Sequence, residues 1–400
     1  MSRTSVALAV ALVCGLVTIS VTPGEAHKPI TSPYTYNDDI FPLVRDKCGR
    51  CHVSGGIAPM SLMSHTDAVP WGESIRTELL AGHMPPGGLD GGAARFRNVS
   101  TLSPREMNTL LTWVTGGTPI GSPEKTPPPM SYQEGWRLGP PDLTLAFPDE
   151  VTIPADVRER TVEFTIPAGL AERSGIRAID VKPGNPAIVR AATISVRGAM
   201  ESATLDMAAI EQLVALWLPG EDPIALDEGL GFDLPAQTDL VVRVLYRKTW
   251  EYERKEMRDR STIGVYLARK PSTIVRTFTL SQGLRPPFDV KTPSFRRTIP
   301  QDVRALSVYA TGSVDGTRVN VTATRPDGSR VELIALRTSP DWARRYWFKV
   351  PIVLPRGTIV DVTTAIDDEP ALPALSVAPT SPSVADPLPL GLRLNVVPGR

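Results

Sequence analysis

The stretch "DLVVRVLY" (239–246) crowds Val, Leu and Tyr into eight residues, with the turn-forming "LPAQT" before it and the charged "RKT" after it. β-branched and aromatic residues in a short run framed by turn formers read as a strand. Runs of the same texture recur on both sides. They include "TVEFTI" (161–166), "GIRAIDV" (175–181), "AIVRAATISV" (187–196), "STIGVYLA" (261–268), "STIVRTFTL" (272–280), "RALSVYA" (304–310), "TRVNVTAT" (317–324), "RVELIALR" (330–337), "YWFKVPIVL" (346–354) and "TIVDVTTA" (358–365). "RPDGS" (325–329) is a hairpin turn between two of them. One segment, "MESATLDMAAIEQLVALWL" (200–218), reads as a helix. The spacing of the runs predicts β-sandwiches over 136–400, too long for one small sandwich and therefore divided. We place a first sandwich at 136–275, a second at 276–366, and a Pro-rich tail with a last strand at 367–400.

Ahead of this region the texture differs. Asn37 and Asp38 are capping candidates, with Pro42 in or near a first turn. Trp71, Ile75 and Leu79 fall at helical spacing in "SHTDAVPWGESIRTELLAGH" (64–83), which Thr66 or Asp67 could cap. "LSPREMNTLLTWVTGG" (102–117) carries a capping box, Ser103 with Glu106, and Pro104 at the first helical position. A small all-α unit at 27–120 is expected, followed by a Pro-rich linker at 121–135.

Composition bounds the partners. The chain has 43 basic and 43 acidic residues, so no basic field invites nucleic acid. Residues 1–26 read as an export signal: Arg3, the apolar run "VALAVALVCGLVTISV" (6–21), then Gly24 and Ala26 before a cut that exposes His27. The apolar run is short for a span, so no membrane span is expected after cleavage, and Cys14 within it is given no role. The expected location is the periplasm or the exterior.

The mature chain then keeps two cysteines, in "RDKCGRCHVSGG" (45–56). C-x-x-C-H is the spacing of c-type haem attachment. Thiols about a turn apart can each add to a haem vinyl group, and the next histidine can rise to the iron. Zinc would call for a second ligand pair, and no second CxxC exists. A disulfide between Cys48 and Cys51 would close too small a loop to staple much. The candidates for a sixth ligand are Met60, Met63, His65, His83 and Met84. Met84 is favoured because Pro85 and Pro86 stiffen the backbone behind a flexible thioether; His83 is its rival. Trp71, Ile75, Leu79, Leu110 and Trp113 are the expected pocket wall, or else plain core. One covalent haem c is the expected cofactor.

The text "DIFPLVRDKCGRCHVSGGIAPMSL", "PWGESIRTELLAGHMPP" and "LSPREMNTLLTWVTGGTP" resembles the small cytochrome c domain of exported bacterial proteins. That resemblance implies Cys48 and Cys51 as haem-linking residues, His52 as proximal ligand and Met84 as distal ligand. Where the family often has an aromatic after Met-Pro-Pro, this chain has Gly87-Gly88. The phrases "EGWRLGPPDLTL", "LWLPGEDPIALDEGLGFDLPAQTDLVVRVLY", "TRVNVTATRPDGSRVELIAL" and "DWARRYWFKVPIVLPRGTIV" resemble copper type II, ascorbate-dependent monooxygenases. These are similar to peptidylglycine α-hydroxylating monooxygenase, whose two jelly rolls each hold one copper. The family's His-His pair aligns with Arg190-Ala191, its later His-Tyr with Leu245-Tyr246, and its His-x-His near Thr311 and Ser313. No histidine follows His83 in the chain. A histidine-based copper centre in the β region is thereby excluded, and copper is not an expected cofactor. A Ser/His/Asp site there falls for the same reason.

The fold expectation is thus a multidomain chain: a small all-α cytochrome c domain, then an all-β double jelly-roll sandwich. The functional expectation is one-electron transfer rather than catalysis, with the β region docking a redox partner, one candidate being a copper-competent relative. The alternatives are a copper monooxygenase with non-standard ligands and a haem-based sensor or structural protein. His27 with His65 is a remote copper pair. "RKTWEYERKEMRDR" (247–260) reads as an exposed loop that could serve docking, and Asp367-Asp368 as solvated turn residues.

Overall fold

The computed structural model describes residues 31–97, 99, 101–132, 135–197, 211–268, 271, 273–281, 294–311, 317–337, 344–366 and 391–399. The expected export signal (1–26), His27 and most of the expected Pro-rich tail, with Asp367-Asp368, lie outside the described residues. The helices are α1 (Phe41–Lys47), α2 (His65–Ala68), α3 (Gly72–Leu80) and α4 (Pro104–Thr115). The strands of the first half are β1 (Leu143–Ala146), β2 (Val151–Ile153), β3 (Glu159–Pro167), β4 (Ser174–Lys182), β5 (Val189–Arg197), β6 (Glu211–Trp217), β7 (Leu230–Leu234), β8 (Asp239–Arg247), β9 (Met257–Asp259), β10 (Thr262–Ala268) and β11 (Thr273–Ile274). Those of the second half are β12 (Arg276–Ser281), β13 (Phe295–Thr298), β14 (Val303–Thr311), β15 (Thr317–Thr324), β16 (Arg330–Arg337), β17 (Tyr346–Leu354), β18 (Ile359–Ile366) and β19 (Gly391–Pro398).

Two sandwiches follow from the pairing. In the first, the sheet β1-β10-β4-β7-β11 faces the sheet β3-β8-β5-β6. In the second, β12-β19-β14-β17 faces β13-β18-β15-β16. Leaving out the short β2, β9 and β11, each sandwich has eight strands. Numbered one to eight, their sheets run 1-8-3-6 and 2-7-4-5 in both halves, which is the jelly-roll order. The strand β19 sits between β12 and β14, so the end of the chain closes the second core. Each core is made by inward-facing residues of both its sheets. Ile179, Ile263, Ile194 and Val242 lie in the first, and Val308, Leu394, Val321 and Val362 in the second. Fully burying such a side chain is worth about 1.5–3 kcal/mol.

Arg345 lies between the two cores and is only 3% exposed. Its guanidinium donates to the carbonyls of Val214, at 3.1 Å, and Leu213, at 3.0 Å. It also lies 5.0 Å from the ring centroid of Tyr309, 5.5 Å from Trp347 and 5.7 Å from Phe232. Leu213, Val214 and Phe232 belong to the first sandwich, and Tyr309 and Trp347 to the second. Trp347, Leu306 and Val397 of the second half also pack into the first core.

The all-α domain expected at 27–120 does not form. Of the described residues 43% are strand and 16% are helical, tight turns included, and the helices are short. They have four to twelve residues each; α2 and α3 are joined through a tight turn at Val69–Trp71, and longer irregular segments separate the others. Two physical causes stand out. A helix of one to three turns is not self-supporting and depends on what it packs against. The stretch between α3 and α4 is also bound to the second sandwich: Leu89 bridges Leu336, and Phe96 bridges Phe348. What remains is a small apolar cluster under α1, α3 and α4, with Tyr36, Ile40, Val44, Leu79, Leu110 and Trp113 at its centre. The linker residues fold back on this cluster, with Tyr132 N–H donating to Ser54 O at 3.0 Å and the Asn37 amide to Ser122 O at 2.8 Å.

Local expectations are also corrected. Residues 211–217 form an edge strand paired with β5 rather than a helix, and 200–210 lie outside the described residues. Ser64, not Thr66 or Asp67, caps α2 by accepting from Asp67 N–H. Asn37 and Asp38 sit inside a single wide turn, Tyr36–Ile40, that leads into α1. Within 247–260, Trp250 is 60% exposed, but Lys248 and Asp259 are buried and β9 pairs with β2.

The capping box of α4 is complete: Ser103 Oγ accepts from Glu106 N–H and Glu106 accepts from Ser103 N–H. That backbone bond holds the Glu106 carboxyl below its ordinary range. A depressed carboxyl contributes stability that is present above the unfolded value of about 4.3 and is lost as pH falls through the folded value. Urea unfolding from pH 7 down to pH 3 should show this acid limb, flattened in Glu106→Gln. Ser103→Ala is expected to cost about 1 kcal/mol at pH 7.

Candidate functional site

The loop that follows α1 winds one more turn, with His52 N–H donating to Cys48 O at 2.9 Å and Cys51 N–H to the same oxygen at 3.1 Å. The turn sets Cys48 and Cys51 together as free thiols. Burial pushes Cys48 up to about 12, with the neighbouring Cys51 adding to the effect. Burial pushes Cys51 up to about 11, against the pull of Arg190 and Arg344. Both are neutral thiols at pH 7.

His52 is half-buried, and desolvation lowers its pKa, which favours the neutral ring, the form in which imidazole binds a metal. Its Nδ1–H donates to Met60 O at 3.3 Å, which leaves Nε2 as the nitrogen with the lone pair. Cys48, Met84, Ile75, Leu102 and Met107 all border the apolar cluster that contains Leu79, Leu110 and Trp113. Two thiols on one turn, a neutral imidazole with an oriented ring, and a thioether on the same cluster are a donor set that fits a covalently held haem.

The other sequence candidates have partners of their own. His83 Nδ1 is 3.0 Å from Glu78 Oε2. His65 Nε2 is 2.8 Å from Thr118 O, its ring against Tyr36 and Trp113. Met63 is buried beneath the loop: a Cβ on Gly49 would lie 3.1 Å from its sulfur. Trp113 donates to Pro119 O at 3.1 Å and packs on Tyr36, as a core residue does. Trp71 is half-buried and, among the described residues, stands outside the cluster.

The β region holds this loop by contacts that sequence reasoning missed. Gly220, on the β6–β7 connection with φ of 78°, passes so close that a Cβ there would lie 2.8 Å from Cys51 Sγ. Arg50, inside the C-x-x-C, reaches Asp222 at 2.7 Å and Gly220 O at 3.2 Å. Arg344 and Glu221 form a buried ion pair beside them. Their only sequence signal is the Gly within "LPGEDP" (218–223), which by itself does not say what approaches it.

Two of the three places expected to align with copper ligands, Arg190-Ala191 and Leu245-Tyr246, lie on adjacent strands. Ala191 pairs with Leu245 and Val189 with Tyr246 on adjacent strands, and Arg190 is the extra residue of a β-bulge between them. A bulge re-aims its side chain, and Arg190 Nη1 donates to Ile57 O, just past the C-x-x-C-H turn, at 3.2 Å. The Tyr246 hydroxyl donates to buried Asp259 at 2.9 Å. Thr311 ends β14, and Ser313 lies outside the described residues. Among the described residues no three His, Cys, Asp or Glu side chains gather around a common point, and no helix is long and apolar enough to cross a membrane.

No protein-family model matches the chain, and no curated protein does. Solved structures show distant likenesses. A structure of allantoicase has 11% identity and a TM-score of 0.15, covering 50% of this chain and 72% of that one. The PBCV-1 virus capsid has 6% identity and a TM-score of 0.24, covering 62% and 94%. The CBM22-1-CBM22-2 tandem domain of Paenibacillus barcinonensis Xyn10C has 10% identity and a TM-score of 0.17, covering 65% and 98%. Likenesses this distant carry no argument about function.

Proposed function

We propose that this chain is an exported c-type haem protein that transfers single electrons, with the double sandwich as its support and docking body. The observation that carries the reading is the C-x-x-C-H turn itself. Cys48 and Cys51 lie free on one turn, and His52 is half-buried, held toward its neutral form by desolvation and oriented by Met60 O. Cys48 and Cys51 would hold the haem by thioether bonds, and His52 Nε2 and Met84 Sδ would hold its iron. When bound, the haem supplies the one-electron chemistry. The protein's own part is positional. The Met60 carbonyl fixes the imidazole, the cluster around Leu79 and Leu110 keeps water away, and the Pro219–Asp222 segment closes over Cys51. The β region supplies no histidine and so takes no part as a histidine-ligated oxygenase. Its surface is the place for a redox partner, one candidate being a copper-competent relative.

Met84→Ala tests the ligand set. Ferric protein made with haem-maturation machinery should show the weak far-red band of sulfur-to-iron ligation, and the variant should lose it while keeping its haem. A band that survives in Met84→Ala would assign the sulfur to another methionine. The same substitution should lower the reduction potential, since a thioether favours the reduced iron.

A further inference from the structure

Residues 87–97, which begin two residues past the Met84-Pro85 pair, do not run free. They are laid along the second sandwich. Arg337 N–H donates to Gly88 O at 2.6 Å, and Asp90 N–H donates to Ala335 O at 2.9 Å, so this stretch adds to β16. Arg97 N–H donates to Trp347 O at 2.8 Å, and the Arg97 side chain reaches Phe348 O at 3.2 Å, so its far end adds to β17. Phe96 stacks on Phe348 at 5.2 Å and tilts against Tyr346 at 5.4 Å. Outer ion pairs join Asp90 to Arg318 and Arg95 to Glu332. Closest to Met84, the Tyr346 hydroxyl donates to Gly87 O.

The contact with β16 accounts for the glycine at 88. Gly88 has φ of 59°, and a Cβ there would meet Arg337 O at 2.5 Å. Only glycine lets the chain lie this close to β16 in that conformation. A side chain at 88 would lift the segment off the sandwich.

Resting on the haem reading above, we infer that the second sandwich positions the iron's sulfur ligand, with Tyr346 as the positioning residue. Its hydroxyl fixes Gly87 O, Gly88 seats the chain on β16, and the two prolines pass that constraint back to Met84. Tyr346 is itself locked by burial and by its place in β17. Burial also pushes its hydroxyl up to about 12, so it remains a donor throughout the neutral range. This answers why a haem-binding segment is joined to a large β body: the body sets how firmly the sixth ligand stays on.

The test is a titration of ferric holoprotein with imidazole, read by loss of the sulfur-to-iron band. A ligand held less firmly is displaced by less imidazole. Tyr346→Phe keeps the ring and removes one hydrogen bond. Its apparent imidazole affinity should rise by roughly fivefold to tenfold, the factor for one such bond. Gly88→Ala should shift it in the same direction by more. Val303→Ala, which trims the same core at the Leu354 end of β17, away from the 87–97 segment, should titrate like wild type. Wild-type behaviour in both Tyr346→Phe and Gly88→Ala would overturn the inference, as would an equal shift in Val303→Ala. Haem-loaded wild type with no sulfur-to-iron band would instead overturn the ligand reading beneath it, so the two failures are distinguishable.

Discussion

Arg345→Ala is expected to destabilise the chain more than any other single substitution between the two sandwiches. The wild-type guanidinium donates to two carbonyls of β6 and lies against three aromatic rings drawn from both halves. Removing it leaves the carbonyls of Leu213 and Val214 without that donor. Charged hydrogen bonds are worth about 1.5–3 kcal/mol and desolvated cation–π contacts about 2 kcal/mol. The expected loss is therefore about 4 kcal/mol, a large share of the roughly 5–15 kcal/mol that holds a folded protein together. Arg345→Lys should recover only part of it, because a point ammonium cannot make the planar fork or stack on the rings. Urea unfolding followed by tryptophan fluorescence checks both, since Trp347 lies in the same contact. Near-wild-type stability in Arg345→Ala would show that Leu306, Trp347 and Val397 suffice to join the sandwiches.

Replacing both Cys48 and Cys51 by alanine is expected to abolish covalent haem altogether. Each thiol can make one thioether, and the chain beyond the export segment contains no other cysteine. The single variants should differ. Cys51 lies against Gly220, with Arg190 and Arg344 close enough to ease its ionisation, whereas Cys48 faces the apolar cluster. Cys51→Ala therefore removes the anchor beside the β region, and its residual haem should be less firmly fixed than in Cys48→Ala. The measurement is haem absorbance remaining with the chain after denaturing electrophoresis. Full haem retention in the double variant would end the attachment reading.

The strand runs were legible because β-branched residues and turn formers act locally: "DLVVRVLY" is β8 and "TRVNVTAT" is β15. What pattern could not reveal were contacts between distant segments. Glu211–Trp217 is built from Glu, Gln, Leu and Ala, good helix formers, yet pairing with β5 decides its state. The residues from Gly87 to Arg97 carry no period at all, since their conformation is set by β16 and β17 some 240 residues later. Hence an all-α domain looked sufficient when its segments in fact lean on a sandwich. Within the candidate site, the nearness of Cys48, Cys51 and His52 was legible from their spacing, because one local turn brings them together. The contacts of Gly220, Arg190 and Tyr346 were not, because each matters only through a neighbour that folding brings to it.

The central claim is a covalent bond between haem and this chain, and the most direct test is the intact mass of the exported protein. The protein would be made with haem-maturation machinery, fully denatured, and extracted with acidified organic solvent before weighing. A polypeptide heavier by one haem, still coloured after extraction, is the predicted result. A colourless chain at its bare polypeptide mass, with any haem left in the solvent, would contradict the account.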